Sequence, residues 1–390
     1  MDANKEVNSR KTLGVLGYLI IIGIGTLQMQ PVLGGALVDR WGLTLQQMGL
    51  LFGIELITMA IGCGLSALAV NRCDRRIMCQ AGLVLLAAGS GLSAMNPAYV
   101  VLCASRGIAG FGGGVVQTIV YATTAHRANK DRTYATTNIM LLLWGALTIG
   151  TAPQLIGALG VQAVFLSFPA MVILALPMTA TIPRRAVTSS AGHQAARAPA
   201  LNARSALLLV LFCLLFAGHG ILWVYQERIG VSIGVPGPVI GAILGLSTLA
   251  GAAGAAMAGV IGRRLGHTAA QVIGFTGSIM ASLGIVYGQS LIAYAGAAAV
   301  VMAVWFFGLT YLLALTAELD LTGRLTGLAN AAVFVGQGLG PVAAATIVGD
   351  GNFRMVGWLS ATIYMVCLVI AVYVTTGAAR TPDGAPAVSK

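Results

Sequence analysis

Charge is scarce in this 390-residue chain: 8% of its residues are Asp, Glu, Lys or Arg, and 11 of them are acidic. A soluble globular protein carries about 25% charged residues, so the polarity needed to clothe a water-exposed surface is missing. The six cysteines show no paired spacing, and Cys63, Cys103, Cys213 and Cys367 fall within apolar stretches, which argues against a disulfide framework or a zinc site. Sequence patterns for an HExxH helix, a GxxxxGK[ST] phosphate loop and paired Asp-rich metal motifs are absent, and the glycine-rich strings do not follow a strand. ATP-driven transport is thereby excluded. An integral membrane enzyme is left as an alternative without visible machinery, and no metal or cofactor is expected.

Long apolar runs dominate instead. Hydrophobic residues make up 57% of the chain, and with the 52 glycines they fill about 70% of it, where a soluble protein has roughly 45–50%. The runs extend for about 20 residues or more and contain Ala, Leu and Gly, unlike the ten-residue alternation of a membrane β-barrel. An all-α integral membrane protein is therefore expected, and its frequent small residues suit helices that approach closely. Hydropathy predicts twelve spans, over 12–38, 45–70, 77–95, 98–125, 134–158, 162–182, 205–226, 236–262, 268–288, 291–317, 325–348 and 355–376. The first is too long for a cleaved signal and is read as a permanent helix.

Basic residues accumulate on the cytoplasmic side of membranes, which gives an independent test of this count. With the N-terminus inside, 18 of the 22 basic residues fall in cytoplasmic segments, three (Arg40, Arg228 and Arg354) fall outside, and Arg106 lies within a span. One missing span would invert every later connection, so the asymmetry supports all twelve. It also accounts for the net charge of +11 through the anionic inner leaflet, without nucleic acid. A bacterial inner-membrane location with both termini cytoplasmic is expected, as is a monomer. The polar segment 183–204 reads as a cytoplasmic linker between bundles 1–182 and 205–376, followed by a tail over 377–390.

The two halves repeat weakly. Asn71-Arg72 corresponds to Arg263-Arg264, and the helix containing Pro153 corresponds to the one containing Pro341, at similar offsets near half the chain. Such duplication is expected of a transporter with its site between the repeats. The segment Ala67-Leu-Ala-Val-Asn71-Arg72-Cys-Asp74-Arg75-Arg76 resembles the G-x-L-A-D-R-x-G-R-R loop of the major facilitator superfamily. Ala67 stands for its first Gly, Asn71 for its Asp and Asp74 for its second Gly. Arg106-Gly-Ile-Ala-Gly110-Phe-Gly112-Gly113-Gly114 resembles that family's R-x-x-x-G-x-G motif, and Gly259 to His267 is a looser second copy of the loop. The resemblance spans essentially the whole chain. It implies two pseudo-symmetric six-helix bundles that rock about a central site and expose it to one side at a time. Asn71, Arg72, Asp74, Arg75 and Arg76 would then form a gating loop, the alternative being that these arginines only set topology.

An ionisable side chain within a span is costly unless paired or hydrated, so each is a functional candidate. Glu55, Arg106 and His219 stand out as proton-coupling candidates. Glu55 and Arg106 both lie roughly 12–15 Å from the outer ends of their spans at 1.5 Å per residue, so they can pair. Either a proton and a substrate compete for Arg106, or the two residues form a fixed structural pair. Arg106, Gly110, Gly113, Gln117 and Tyr121 fall on one stripe of the fourth span, read as a cavity wall or as a packing stripe. His219, Trp223, Gln226 and Glu227 form a second stripe, with Glu227 and Arg228 expected as a solvated pair near the outer boundary. Gln28 is the choice in the first span, with Gln30 on another face. Trp305 and Asn330 are further substrate-binding candidates, with Asn138, Trp144, Tyr311 and Gln337 behind them.

A cationic Arg106 among amides and aromatics suits a small organic anion such as a carboxylate, taken up with protons. The first alternative is proton-driven drug or metabolite efflux, whose helix-5 motif Ala152-Pro153-Gln-Leu-Ile-Gly157 meets only in part. A non-transporting membrane sensor is a third possibility.

Overall fold

In a computed structural model, residues 7–184, 203–319 and 324–376 are described, and they form twelve long helices apolar enough to cross a membrane. These are α1 (Arg10–Trp41), α2 (Leu45–Ala69), α3 (Arg75–Ala94), α4 (Tyr99–Thr124), α5 (Lys130–Leu159) and α6 (Val161–Met178). The second set is α7 (Ala203–Ser232), α8 (Gly237–Ile261), α9 (His267–Tyr287), α10 (Leu291–Leu319), α11 (Arg324–Ile347) and α12 (Phe353–Thr376). Local chemistry sets several ends. Ser9 caps α1, Thr44 and Gln47 form a reciprocal capping box on α2, and Asp74 accepts from the Arg76 and Ile77 amides at the start of α3. Most of the linker (185–202) and the tail (377–390) lie outside the described residues.

Helix packing repeats with a shift of six. Contacts of α1 with α5, α2 with α4, α3 with α4 and α3 with α6 recur as α7 with α11, α8 with α10, α9 with α10 and α9 with α12. Between the halves, α2 packs on α11, α5 on α8 and α1 on α7, and a two-fold exchange maps the first of these pairs onto the second.

One end of the bundle carries the basic connections. Arg127, between α4 and α5, bonds the carbonyls of Val7 and Ser9 beside the start of α1. Arg204, at the start of α7, bonds the Val374 carbonyl near the end of α12 at 3.1 Å. We call this the basic end and its opposite the far end.

The apolar core is organised along the same axis. A far-end cluster joins both halves, including Val32, Leu33, Phe52 and Ile149 with Ile221, Tyr225, Leu244 and Val348. Toward the basic end the core divides into one cluster on α1–α6 and another on α7–α12, with Phe334 of α11 reaching into the first. The halves therefore meet at the far end and part toward the basic end.

Two helices run further than hydropathy predicts. α1 extends through Asp39 to Trp41, and α7 extends six residues beyond 226 to Ser232. Hydropathy falls where charges begin, but backbone hydrogen bonding continues, and Arg228 there bonds both Glu227 and, across the seam, Asp39. Glu227 and Arg228 are accordingly not a solvated pair: each is 7% exposed.

Candidate functional site

α2 and α4 run side by side because glycines remove the side chains between them. A methyl group on Gly110 would lie 2.1 Å from the Glu55 carbonyl, and one on Gly114 would lie 2.2 Å from that of Met59. This close approach brings the Glu55 carboxylate onto the Arg106 guanidinium. Arg106 Nη2 bonds Glu55 Oε1, and its Nε donates to Oε2 at 3.3 Å. The pair is sealed, with Arg106 1% and Glu55 4% exposed. The Thr26 hydroxyl of α1 donates to Glu55 Oε1 at 2.7 Å, and the Phe165 ring of α6 lies 5.3 Å from the guanidinium carbon. Arg106 Nη1 has no partner among the described residues.

The stripe on α4 divides by function. Gly110 and Gly113 are packing contacts, Gly113 lying against the Gly23 carbonyl of α1. Below them Gln117 Nε2 donates to the Tyr121 hydroxyl at 3.3 Å, and the Tyr121 ring lies 5.8 Å from that of Tyr134.

The second group gathers at the level where the halves begin to part. His219 stacks on Trp223 at 5.7 Å, meets the Trp305 ring at 4.5 Å, and has Nδ1 3.4 Å from Gln337 Oε1. Trp305 also packs edge-on against Phe216 and Phe306. Trp223 Nε1 donates across the seam to the Leu27 carbonyl at 3.0 Å. On the other half, Gln28 lies against Gly145, and Trp144 of α5 lies beside Gly25. Among the described residues, His219 Nε2, Trp305 Nε1 and Trp144 Nε1 are buried without partners. Asn330 is exposed on α11. Gln30 is fully buried and its amide has no partner, so it rather than Gln28 is the enclosed glutamine of α1. Trp223→Phe keeps the stacking but loses the seam bond. It is expected to raise the population with the halves separated at the far end about 2- to 13-fold, since one such bond is worth about 0.5–1.5 kcal/mol, as read by distances between spin labels on the two halves.

At the far end, Arg228 of α7 grips Asp39 of α1 with two bonds of 2.7 and 2.8 Å, and Glu227 with two of 2.6 and 2.8 Å. Asp39 is a functional residue that the apolar pattern does not single out. Its signal was an acid just beyond the first apolar run, facing the acid and base that close the equivalent helix of the second half.

The expected gating loop makes contacts within the first six helices. Asp74, besides capping α3, lies 3.8 Å from Arg184, and Arg76 bonds the carbonyls of Ala180 and Ile182. Arg72 is exposed. Arg75 is 1% exposed; its Nε donates to the Val70 carbonyl and its Nη2 to Asn71 Oδ1, both at 3.1 Å, while Nη1 has no partner among the described residues. Asn71→Asp gives this guanidinium a carboxylate and is expected to stabilise the protein by about 1 kcal/mol, seen as a raised Tm of the purified protein.

The chain matches the sequence model described as Major Facilitator Superfamily over residues 14–325. No curated protein sequence matches it. Among solved structures it is similar to a D-xylose-proton symporter, with TM-score 0.72 and 16% identity over 93% of this chain and 96% of that one. It is similar to the inward-open xylose transporter XylE from E. coli, with TM-score 0.73 and 15% identity over 94% and 95%. It is also similar to the nucleoside transporter NupG, with TM-score 0.72 and 14% identity over 96% and 99%.

Proposed function

The chain belongs to the major facilitator superfamily, and from that premise we propose that it is a secondary active transporter that moves a small organic solute with protons by alternating access. The observation that carries this reading is the sealed Glu55–Arg106 pair in the first bundle. An ion pair placed in a membrane interior with few other partners is costly to keep for stability alone. As a proton site it has a use. A proton on Glu55 removes the carboxylate's charge and releases Arg106, whose Nη1 already lacks a partner.

A carboxylate solute is the substrate best suited to a released guanidinium, and the resting pair would keep the site neutral when no solute is present. The solute would sit between the halves near His219, Gln337, Trp305 and Trp144, below the far-end seam, with unpartnered ring nitrogens to meet its acceptors. We place the basic end in the cytoplasm, by the charge asymmetry, with 1–182 and 205–376 as the rocking bundles. The relation to a D-xylose-proton symporter supports proton coupling.

The test is a panel of labelled carboxylates, pentoses, nucleosides and amphipathic drugs in proteoliposomes under an imposed proton gradient. Accumulation of a carboxylate that a protonophore abolishes supports the full reading. Accumulation of a neutral solute alone overturns the anion assignment, outward drug movement replaces uptake with efflux, and no movement of any solute overturns transport.

A further inference from the structure

The far-end cluster contains one more carboxylate than it has cations. Arg228 is shared by Asp39, whose side chain is 59% exposed, and by Glu227, whose side chain is 9% exposed. The buried member is sealed by the opposite half: a methyl group on Gly35 of α1 would lie 2.0 Å from Glu227 Oε2. Groups from the neighbouring helices do not balance the charge. Tyr294 of α10 uses its hydroxyl on the Gln226 carbonyl at 2.8 Å, Tyr225 bonds the Leu45 carbonyl at 3.1 Å, and Tyr99 of α4 bonds that of Gln47 at 3.0 Å. Arg40, Asp350 and Arg354 are exposed, and α8 contributes no ionisable side chain. Among the described residues, closing the far end therefore gathers three charges that sum to −1 at the seam, with Glu227 and Arg228 buried and Asp39 still in contact with water.

We infer that Glu227 is a second proton-binding site, loaded from the far side, whose occupation favours closure of the far end. The inference rests on the alternating-access reading above. When the halves part at the far end, α1 withdraws from Glu227 and the carboxylate meets water. A proton taken from that water bonds to a Glu227 oxygen and cancels the surplus charge, leaving Arg228 and Asp39 as a neutral pair across the seam. Closure then no longer makes a buried carboxylate share its one cation with a second carboxylate, an arrangement that a low-dielectric interior disfavours. The closed seam gives this proton no route to the basic end, so it returns to the side it came from on reopening. Glu227 thus biases the cycle, whereas Glu55 carries the transported proton.

The test uses spin labels at Gln46 and Ser232, exposed far-end positions on opposite halves, in a Glu55→Gln background that silences the first proton site. The closed, short-distance population is expected to rise about fivefold or more between about pH 8 and about pH 5. Glu227→Gln should be closed at both values. Asp39→Asn also makes the cluster neutral but removes the tie, so it should be open at both. A population that ignores pH with the native cluster overturns the inference, as does a pH response that survives in either variant. Loss of accumulation with retained exchange in Glu55→Gln, measured with the far-end cluster native, tests the transport reading separately.

Discussion

Arg106→Leu is expected to abolish transport and to destabilise the protein by about 3–5 kcal/mol, the cost of leaving one partner of a buried ion pair uncompensated. Glu55 would keep only the Thr26 hydroxyl, in a site where 4% of the residue is exposed. The carboxylate must then bind a proton permanently or draw water into the bundle. Arg106→Lys should be an intermediate case, because a single ammonium cannot reproduce the two-nitrogen contact with both carboxylate oxygens. The double variant Glu55→Leu, Arg106→Leu separates stability from function. It should recover most of the lost Tm and none of the flux, since two apolar side chains fill the site without an orphaned charge. Thermal unfolding of the purified protein and flux in proteoliposomes read the two effects independently.

Arg228→Leu has the second large effect. It removes the cation that ties α7 to Asp39 on α1 and leaves Asp39 and Glu227 facing each other at the seam. The loss of a buried pair at about 3 kcal/mol corresponds to about a 100-fold shift toward the far-end-open state. Distances between spin labels at Gln46 and Ser232 should lengthen accordingly, and solute should dissociate faster toward the far side. Arg228→Lys keeps one contact and should shift the equilibrium less. A distance distribution unchanged in Arg228→Leu would mean that the apolar seam alone, through residues such as Val32, Leu33, Ile221 and Tyr225, holds the halves together.

These effects also show which parts of the molecule can be read from residues alone. The twelve helices could be, because a segment of about 20 apolar residues leaves few other options in lipid. The pairing of Glu55 with Arg106 could be as well, since α2 and α4 run in the same direction and equal depth implies proximity. The ends were less legible: α1 and α7 continue past their apolar stretches because Asp39 and Arg228 neutralise each other across the seam. That contact depends on how the halves dock, which no local periodicity encodes. The same limit hid Thr26 and Phe165, whose uncharged side chains stand out in no span yet complete the enclosure of Arg106. The glycines of α4 were ambiguous in sequence, since a groove for a solute and a groove for a helix use the same residue. Carbonyl oxygens of α1 and α2 settle that question for Gly110 and Gly113.

Coupling in this transporter turns on the proton at Glu55. Its most direct test is a paired flux measurement on Glu55→Gln in proteoliposomes, with accumulation driven by an imposed proton gradient measured beside exchange of labelled for unlabelled solute. The carboxamide keeps the shape of the side chain and a hydrogen bond to Thr26, but it cannot release a proton. Accumulation should be lost while exchange continues at close to the wild-type rate. Accumulation at the wild-type level in Glu55→Gln would contradict this and leave the Glu55–Arg106 pair as a structural brace.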